Sequence, residues 1–328
     1  MKTVNLLLVA ALAAAAQQPM IENAKLETRA FAGSLATQFS QFGAGPWWAA
    51  YSEPMIPGQG GDMCWSEGSR RDAHAPGTPI RLEGPTTLVV LVRFEGGVIN
   101  RVRTTTPDCL IDAGGLPFYW LTAVPAAESV NWLKSQVSAS GRDQSLFAIA
   151  LQAGPEATRA LEDFTAPTQP DKVRERTAFW LGNSRGTEGL RVLERMLASD
   201  PSRKVREQVI FAMTQSREPR AMEKVIDTAH NDKDPHVRGQ ALFRMAQRAA
   251  GQSAKDTISA AIRSDADASV RERAVFALTQ IPNGEGVPQL IDLAKNSSDP
   301  AVKRKAMFWL GQSKDSRAVE FFAQLLKP

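Results

Sequence analysis

Three groups of residues have types and spacings that chemistry could use. Gly182-Asn183-Ser184-Arg185-Gly186 has the Gly-x-Ser-x-Gly spacing of a serine-hydrolase nucleophile. That chemistry needs a strand before the serine and a helix after it, so that the hydroxyl is held strained and exposed. Here Phe179-Trp180-Leu181 continue a helical pattern into the motif, which reads as a turn between two helices. His230 and His236 flank Asp232 and Asp234, a mixture of imidazoles and carboxylates that a metal could use. Asp234-Pro235 reads better as a helix cap, and the equivalent loops elsewhere carry no histidine, so a solvated linker is predicted. The Gly and distal Glu of a calcium loop are also missing there. Cys64 and Cys109 are the only two cysteines. In an oxidising compartment they are predicted to form one disulfide, the alternative being two buried thiols. No catalytic residue, metal site or cofactor is predicted.

The compartment follows from the first residues. Lys2 precedes the unbroken apolar run Leu6–Ala16, and Ala14-Ala15-Ala16 supplies small residues where a signal peptidase cleaves. Residues 1–16 are therefore expected to be a signal peptide, and the protein periplasmic or secreted. The run is well short of the ~20 residues a membrane span requires, and no other segment is predicted to cross a bilayer. In the whole chain of 328 residues, 43% are hydrophobic and 23% charged, which fits a folded, soluble protein. A net charge of +4 is too mild to indicate nucleic acid as a partner.

Residues 20–137 are expected to form a small β-rich domain with flanking helices. Seven Gly and six Pro between residues 45 and 86 rule out a long helix there. Thr86–Arg93 is β-branched and apolar, Glu95-Gly96-Gly97 breaks it, and Val98–Thr106 alternates: strand, turn, strand. Cys109–Trp120 continues in that style around Gly114-Gly115. Helices are read over 20–42 and over Ala126–Val137. Trp47, Trp48, Tyr51 and Trp65 could stack on sugars if exposed, but are read as the core of a domain short of other apolar residues.

From residue 138 the sequence repeats. Val173-Arg174, Val205-Arg206, Val237-Arg238, Val270-Arg271 and Val302-Lys303 recur at spacings of 32 or 33. Six residues after each Val stands Phe179, Phe211, Phe243, Phe276 or Phe308, and two further on a Leu or Met. Phe147 and Ile149 fit the same frame one step earlier, giving six copies. Asp200-Pro201, Asp234-Pro235 and Asp299-Pro300 each place an N-cap acceptor before a proline suited to the first helical turn. A second apolar series follows a polar turn, so each copy reads as a helix pair that must stack on its neighbours. The fold class predicted is mainly α: an α-solenoid of about six two-helix repeats over 138–328, preceded by the β-rich domain.

The pattern Asp-Pro-x-x-Val-Arg-x-x-Ala-x-x-x-Leu resembles the short HEAT repeats of the kind named after phycobilisome lyases. The resemblance covers about 138–328 and implies an armadillo-like superhelix that binds other macromolecules. It does not imply lyase activity.

The arginine column (Arg174, Arg206, Arg238, Arg271) could face phosphate, but Glu175, Glu207 and Glu272 stand beside it. It is expected to bind neighbouring helix ends and the capping carboxylates Asp200, Asp234 and Asp299. At 100° per residue the phenylalanines fall near 240° from the Val stripe, roughly opposite the core. Two outcomes stay open: a ridge that docks a protein partner, or rings tucked between repeats. The last copy keeps Phe321-Phe322, Leu325 and Leu326, which either pack inward or dock something, a second copy included. The function expected is a non-enzymatic, exported protein-binding scaffold. A bilin-lyase-like enzyme, by analogy with the repeat's namesake, and a sugar-binding Trp region are the alternatives.

Overall fold

In a computed structural model the described residues are 18–59, 63–64, 84–138, 144–248 and 252–326. The expected leader and Trp65 lie outside them. The chain divides into two units, one of residues up to 137 with 143–160, the other mainly of 161–328.

The first unit is built on a five-stranded sheet ordered β2-β7-β3-β4-β5. Among the described residues its strands are β2 (Lys25–Ala30), β3 (Trp47–Pro54), β4 (Thr87–Glu95), β5 (Val98–Thr105) and β7 (Pro117–Thr122). The short strands β1 (Met20–Glu22) and β6 (Leu110–Asp112) pair in parallel outside this sheet. The β4–β5 hairpin turns at Gly96-Gly97, whose φ values of 63° and 86° suit glycine. Leu88 to Val92 of β4 are all buried, because both sheet faces are covered. On one face Trp47 and Tyr51 lie with α1 (Leu35–Ser40) and α2 (Ala126–Gln136): Phe39 meets Trp132 edge-on at 5.1 Å, and the Ser129 hydroxyl lies 3.1 Å from the Tyr51 phenol. On the other, Ala50, Val89, Phe118 and Trp120 form a cluster against Ile21 and Ile111 of the small sheet. The aromatic residues Trp47, Tyr51 and Trp120 are thus core.

The helix read over 20–42 is corrected. Only Leu35–Ser40 is helical; Met20–Glu22 and Lys25–Ala30 are strands, separated by Asn23 at φ 50°. Their ladders run to Leu110–Asp112 and Pro117–Thr122, partners that outweigh local helix propensity.

Cys64 and Cys109 are joined in a disulfide. The bridge closes a loop with a sequence separation of 45, so by chain entropy its reduction is expected to cost ~3–4 kcal/mol. Denaturant melts with and without reductant check this; coincident curves would contradict it.

Helices α3 (Gln144–Leu151) and α4 (Pro155–Asp163) begin the repeat frame in sequence, yet α3 and most of α4 group with the first unit. Backbone bonds explain it: Ile56 N–H donates to Leu151 O at 3.0 Å and Ala153 N–H to Pro54 O at 2.8 Å. These tie the end of α3 to the end of β3, so Phe147 and Ile149 lie in a helix that belongs to the sheet unit.

The second unit is five helix pairs. The first helices are α5 (Asp171–Ser184), α7 (Arg203–Gln215), α9 (Pro235–Arg248), α11 (Ala268–Thr279) and α13 (Pro300–Gln312). The second helices are α6 (Gly186–Ser199), α8 (Pro219–Asn231), α10 (Gln252–Ser264), α12 (Val287–Asn296) and α14 (Ser316–Leu325). Each first helix packs on the next first helix and on its own partner. Val173, Val205, Val237, Val270 and Val302 are all buried, so the repeat column is the core column. With α3 and α4 the described residues hold twelve repeat-frame helices. No helix among them is long and apolar enough to cross a membrane.

Close packing fixes some glycines. A Cβ on Gly182 would come within 2.4 Å of Ala212 O, so α5 and α7 touch through a residue without a side chain.

Candidate interaction surface

The arginine column faces inward, toward its neighbours. Arg174 donates through Nε and Nη2 to both oxygens of Asp200, at 2.8 and 3.1 Å, and both side chains are almost wholly buried. Arg206 spans from Asp200 O (2.9 Å) to the Asp234 carboxylate (3.1 Å). Arg238 holds Asp265 with two bonds of 2.8 Å and reaches back to Asp232 O. Arg271 joins Asp265 O to Asp299. Each guanidinium therefore clamps the loop before its own helix to the loop of the following repeat. Among the described residues Lys303 donates only to Lys295 O, 3.1 Å away. The same aspartates start helices: Asp234 accepts from His236 N–H, and Asp299 from Ala301 N–H. Asp200 accepts from Ser202 N–H, and α7 begins one residue later, at Arg203.

The Gly-x-Ser-x-Gly segment is the α5–α6 turn, and the Ser184 hydroxyl donates to Trp180 O at 2.7 Å. It is mostly buried and bonded to its own helix, without the strand that a nucleophile elbow needs.

His236 departs from the solvated-linker reading. It sits half-buried in the first turn of α9, its Nε2 2.7 Å from Glu207 Oε1 and its Nδ1 3.0 Å from Arg273 Nη2. The only group of potential metal ligands among the described residues is Cys64, Asp108 and Cys109, whose two sulfurs are bonded to each other.

The phenylalanine column forms a continuous strip across the first helices. Phe179, Phe211, Phe243 and Phe276 are half-buried, and Phe308 is 54% exposed. Phe179 stacks on Phe211 at 6.3 Å and Phe243 on Phe276 at 5.6 Å. Between these pairs the Arg244 guanidinium lies over both Phe211 (4.8 Å) and Phe243 (5.4 Å). Trp180 meets Phe179 edge-on at one end; Trp309 touches Phe276 and Phe308 at the other. The tucked arrangement holds for the first four rings, which are half-buried against their neighbours, whereas Phe308 is exposed.

A second column went unread in the sequence. Four residues after each phenylalanine stands a carboxamide: Asn183, Gln215, Gln247, Gln280 and Gln312. At i+4 on a helix these lie beside the rings. Two clefts open along the strip. One, of about 330 Å³, is lined by Gly239, Gln240, Phe243, Arg273 and Phe276. The other, of about 320 Å³, includes Phe276, Gln280, Trp309 and Gln312. The Trp309 indole N–H is buried without an acceptor.

At the far end, Phe321 is buried, whereas Val319, Leu325 and Leu326 of the α14 region are exposed.

Comparison with known proteins bears on the second unit. Human deoxyhypusine hydroxylase, solved with glycerol, is 15% identical, covers 62% of this chain and 91% of its own, and has a TM-score of 0.26. YibA of Escherichia coli is 20% identical, covers 63% of this chain and 82% of its own, and has a TM-score of 0.33. Scores this low carry no argument about function. No curated protein matches the chain. The family model for HEAT repeats matches residues 158–246 and 256–328. That match coincides with the stacked helix pairs, and this part of the chain belongs to the HEAT repeats.

Proposed function

We propose that this protein is an exported, non-enzymatic scaffold that docks a protein partner on the aromatic strip of its first helices. The observation that carries the proposal is the strip itself: rings, an arginine and carboxamides in register over five repeats, with four rings half-buried and the fifth, Phe308, exposed. A core needs no such surface column, and a contiguous row of partly exposed apolar rings marks a docking site. Export is supported by the leader-like residues 1–16 and by the Cys64–Cys109 bridge. Sugar stacking is disfavoured, since it needs free ring faces, whereas these faces are covered and Trp47 and Trp120 are core. Self-association through Val319, Leu325 and Leu326 belongs to the same proposal.

The test is recovery of bound protein from an envelope fraction. Wild type is compared with Phe308→Ser, and with a variant carrying Phe179→Ser, Phe211→Ser and Phe243→Ser. Partner loss with unchanged folding, judged by circular dichroism, is expected for Phe308→Ser, whose ring is the most exposed. Equal recovery by wild type and both variants would overturn the proposal.

A further inference from the structure

One cation on the strip lacks the carboxylate that its position in the repeat calls for. Two residues after each repeat valine stand Glu175, Glu207, Gly239, Glu272 and Arg304; three after it stand Arg176, Gln208, Gln240, Arg273 and Lys305. Lys305 pairs with Glu272 of the preceding repeat at 3.0 Å. Arg273 occupies the same position as Lys305 one repeat earlier, so its counterpart is residue 239. There the chain has glycine.

The consequence is the 330 Å³ cleft between α9 and α11, with Gly239, Gln240 and Arg273 at its walls and the stacked Phe243 and Phe276 beside them. Gly239 also lets the arginine lie close, since a Cβ there would be 2.5 Å from Arg273 Cδ. The guanidinium is held from one side. Glu207 bonds His236 Nε2, and His236 Nδ1 accepts from Arg273 Nη2. No carboxylate is ion-paired with Arg273 among the described residues, so its remaining donors are available to a ligand.

The surrounding charge selects the ligand's sign. Along this face Lys172, Arg176, Lys204, Arg244, Arg273, Arg304 and Lys305 are set against three carboxylates. All three are already engaged: Glu175 by Lys172, Glu207 by His236, Glu272 by Lys305. Neighbouring helices pack ~8–10 Å apart, about one three-residue turn of a chain extended as polyproline II, which brings every third side chain to the same side. An acidic side chain every third residue would thus meet successive repeats, while carboxamides that both donate and accept suit its backbone.

We propose that the Gly239–Arg273 cleft is a carboxylate-binding site that anchors an acidic, extended polypeptide segment, the ligand's carboxylate taking the place of the glutamate missing from this repeat. The site rests on the docking reading above and specifies the partner's chemistry.

The experiment measures fluorescence anisotropy of two labelled peptides on the full chain, one of repeated Glu-Val-Thr units and one of repeated Gln-Val-Thr units. Wild type is expected to bind the Glu peptide at least about ten-fold more tightly. Gln240→Glu places a carboxylate of the same shape in the cleft wall and is expected to erase that preference while leaving the Gln peptide unaffected. Arg273→Gln is expected to do the same. A Glu preference that survives both substitutions, equal binding of the two peptides, or no binding of either overturns the carboxylate site. Loss of both peptides on Phe308→Ser, with no Glu preference in wild type, would leave the docking surface standing and remove only the anchor.

Discussion

Asp200→Ala is expected to destabilise the repeat unit by ~3 kcal/mol, the cost of taking the bidentate partner from a buried guanidinium that keeps one bond to the Asp171 carboxylate. Arg174 is 2% exposed and Asp200 6%, and the pair is bidentate. The Asp200 bond raises the Arg174 pKa further above its usual value, and a guanidinium keeps its charge even without that bond, so the charge remains when the carboxylate is removed. Asp200 also accepts from Ser202 N–H, which adds to the loss. Asp299→Ala is the comparison. Its bond to Arg271 is more exposed, and water screens such a pair, so the loss is mainly that of the helix cap. Urea melts of both variants, with Arg174→Ala to complete a double-mutant cycle, measure the difference. A loss for Asp200→Ala no larger than that for Asp299→Ala would show that the first clamp is not a buried pair in solution.

The second large effect concerns the sheet unit. Glu53 of β3 is 2% exposed, and its Oε1 has no hydrogen-bond partner among the described residues. Burial pushes its pKa from the ordinary 4.5 up to about 8. Between these values the folded chain holds a proton that the unfolded chain has released. Stability from this group is therefore full below about pH 4.5, falls by ~1.4 kcal/mol per pH unit up to about pH 8, and is level above it. Burial pushes the Tyr51 phenol up in the same way, so it stays neutral throughout that window. Glu53→Gln keeps the shape of the protonated acid and removes the titration. Its stability relative to wild type should rise by several kcal/mol between pH 5 and pH 8. Denaturant melts at several pH values check this, and parallel profiles would show that Glu53 is solvated.

The repeat frame could be read because each copy restates the same steric demand: a buried Val, a basic residue beside it (a clamp Arg in all but the last), a ring six residues on. The carboxamide column is equally regular, but a carboxamide is neither apolar nor charged and so signals neither burial nor ion pairing. The strands at 20–30 could not be read locally, since what makes them strands is pairing with Leu110–Asp112 and Pro117–Thr122. The same holds for the attachment of α3, which depends on backbone bonds to Pro54 and Ile56. His236 acquires its role only when α7 and α11 bring Glu207 and Arg273 to its two nitrogens. Gly239 is conspicuous only against Glu272, its equivalent one repeat later.

The clamps are not equally sheltered. The Arg174–Asp200 side chains are 3% and 2% exposed, Arg238–Asp265 13% and 9%, and Arg271–Asp299 24% and 31%. Mobile ions attenuate attraction between groups that water can reach and leave sealed ones nearly untouched. Raising ionic strength should therefore slacken the joints around α11 and α13 while the one joining α5 to α7 holds, giving the array a salt-tuned stiffness that changes along its length.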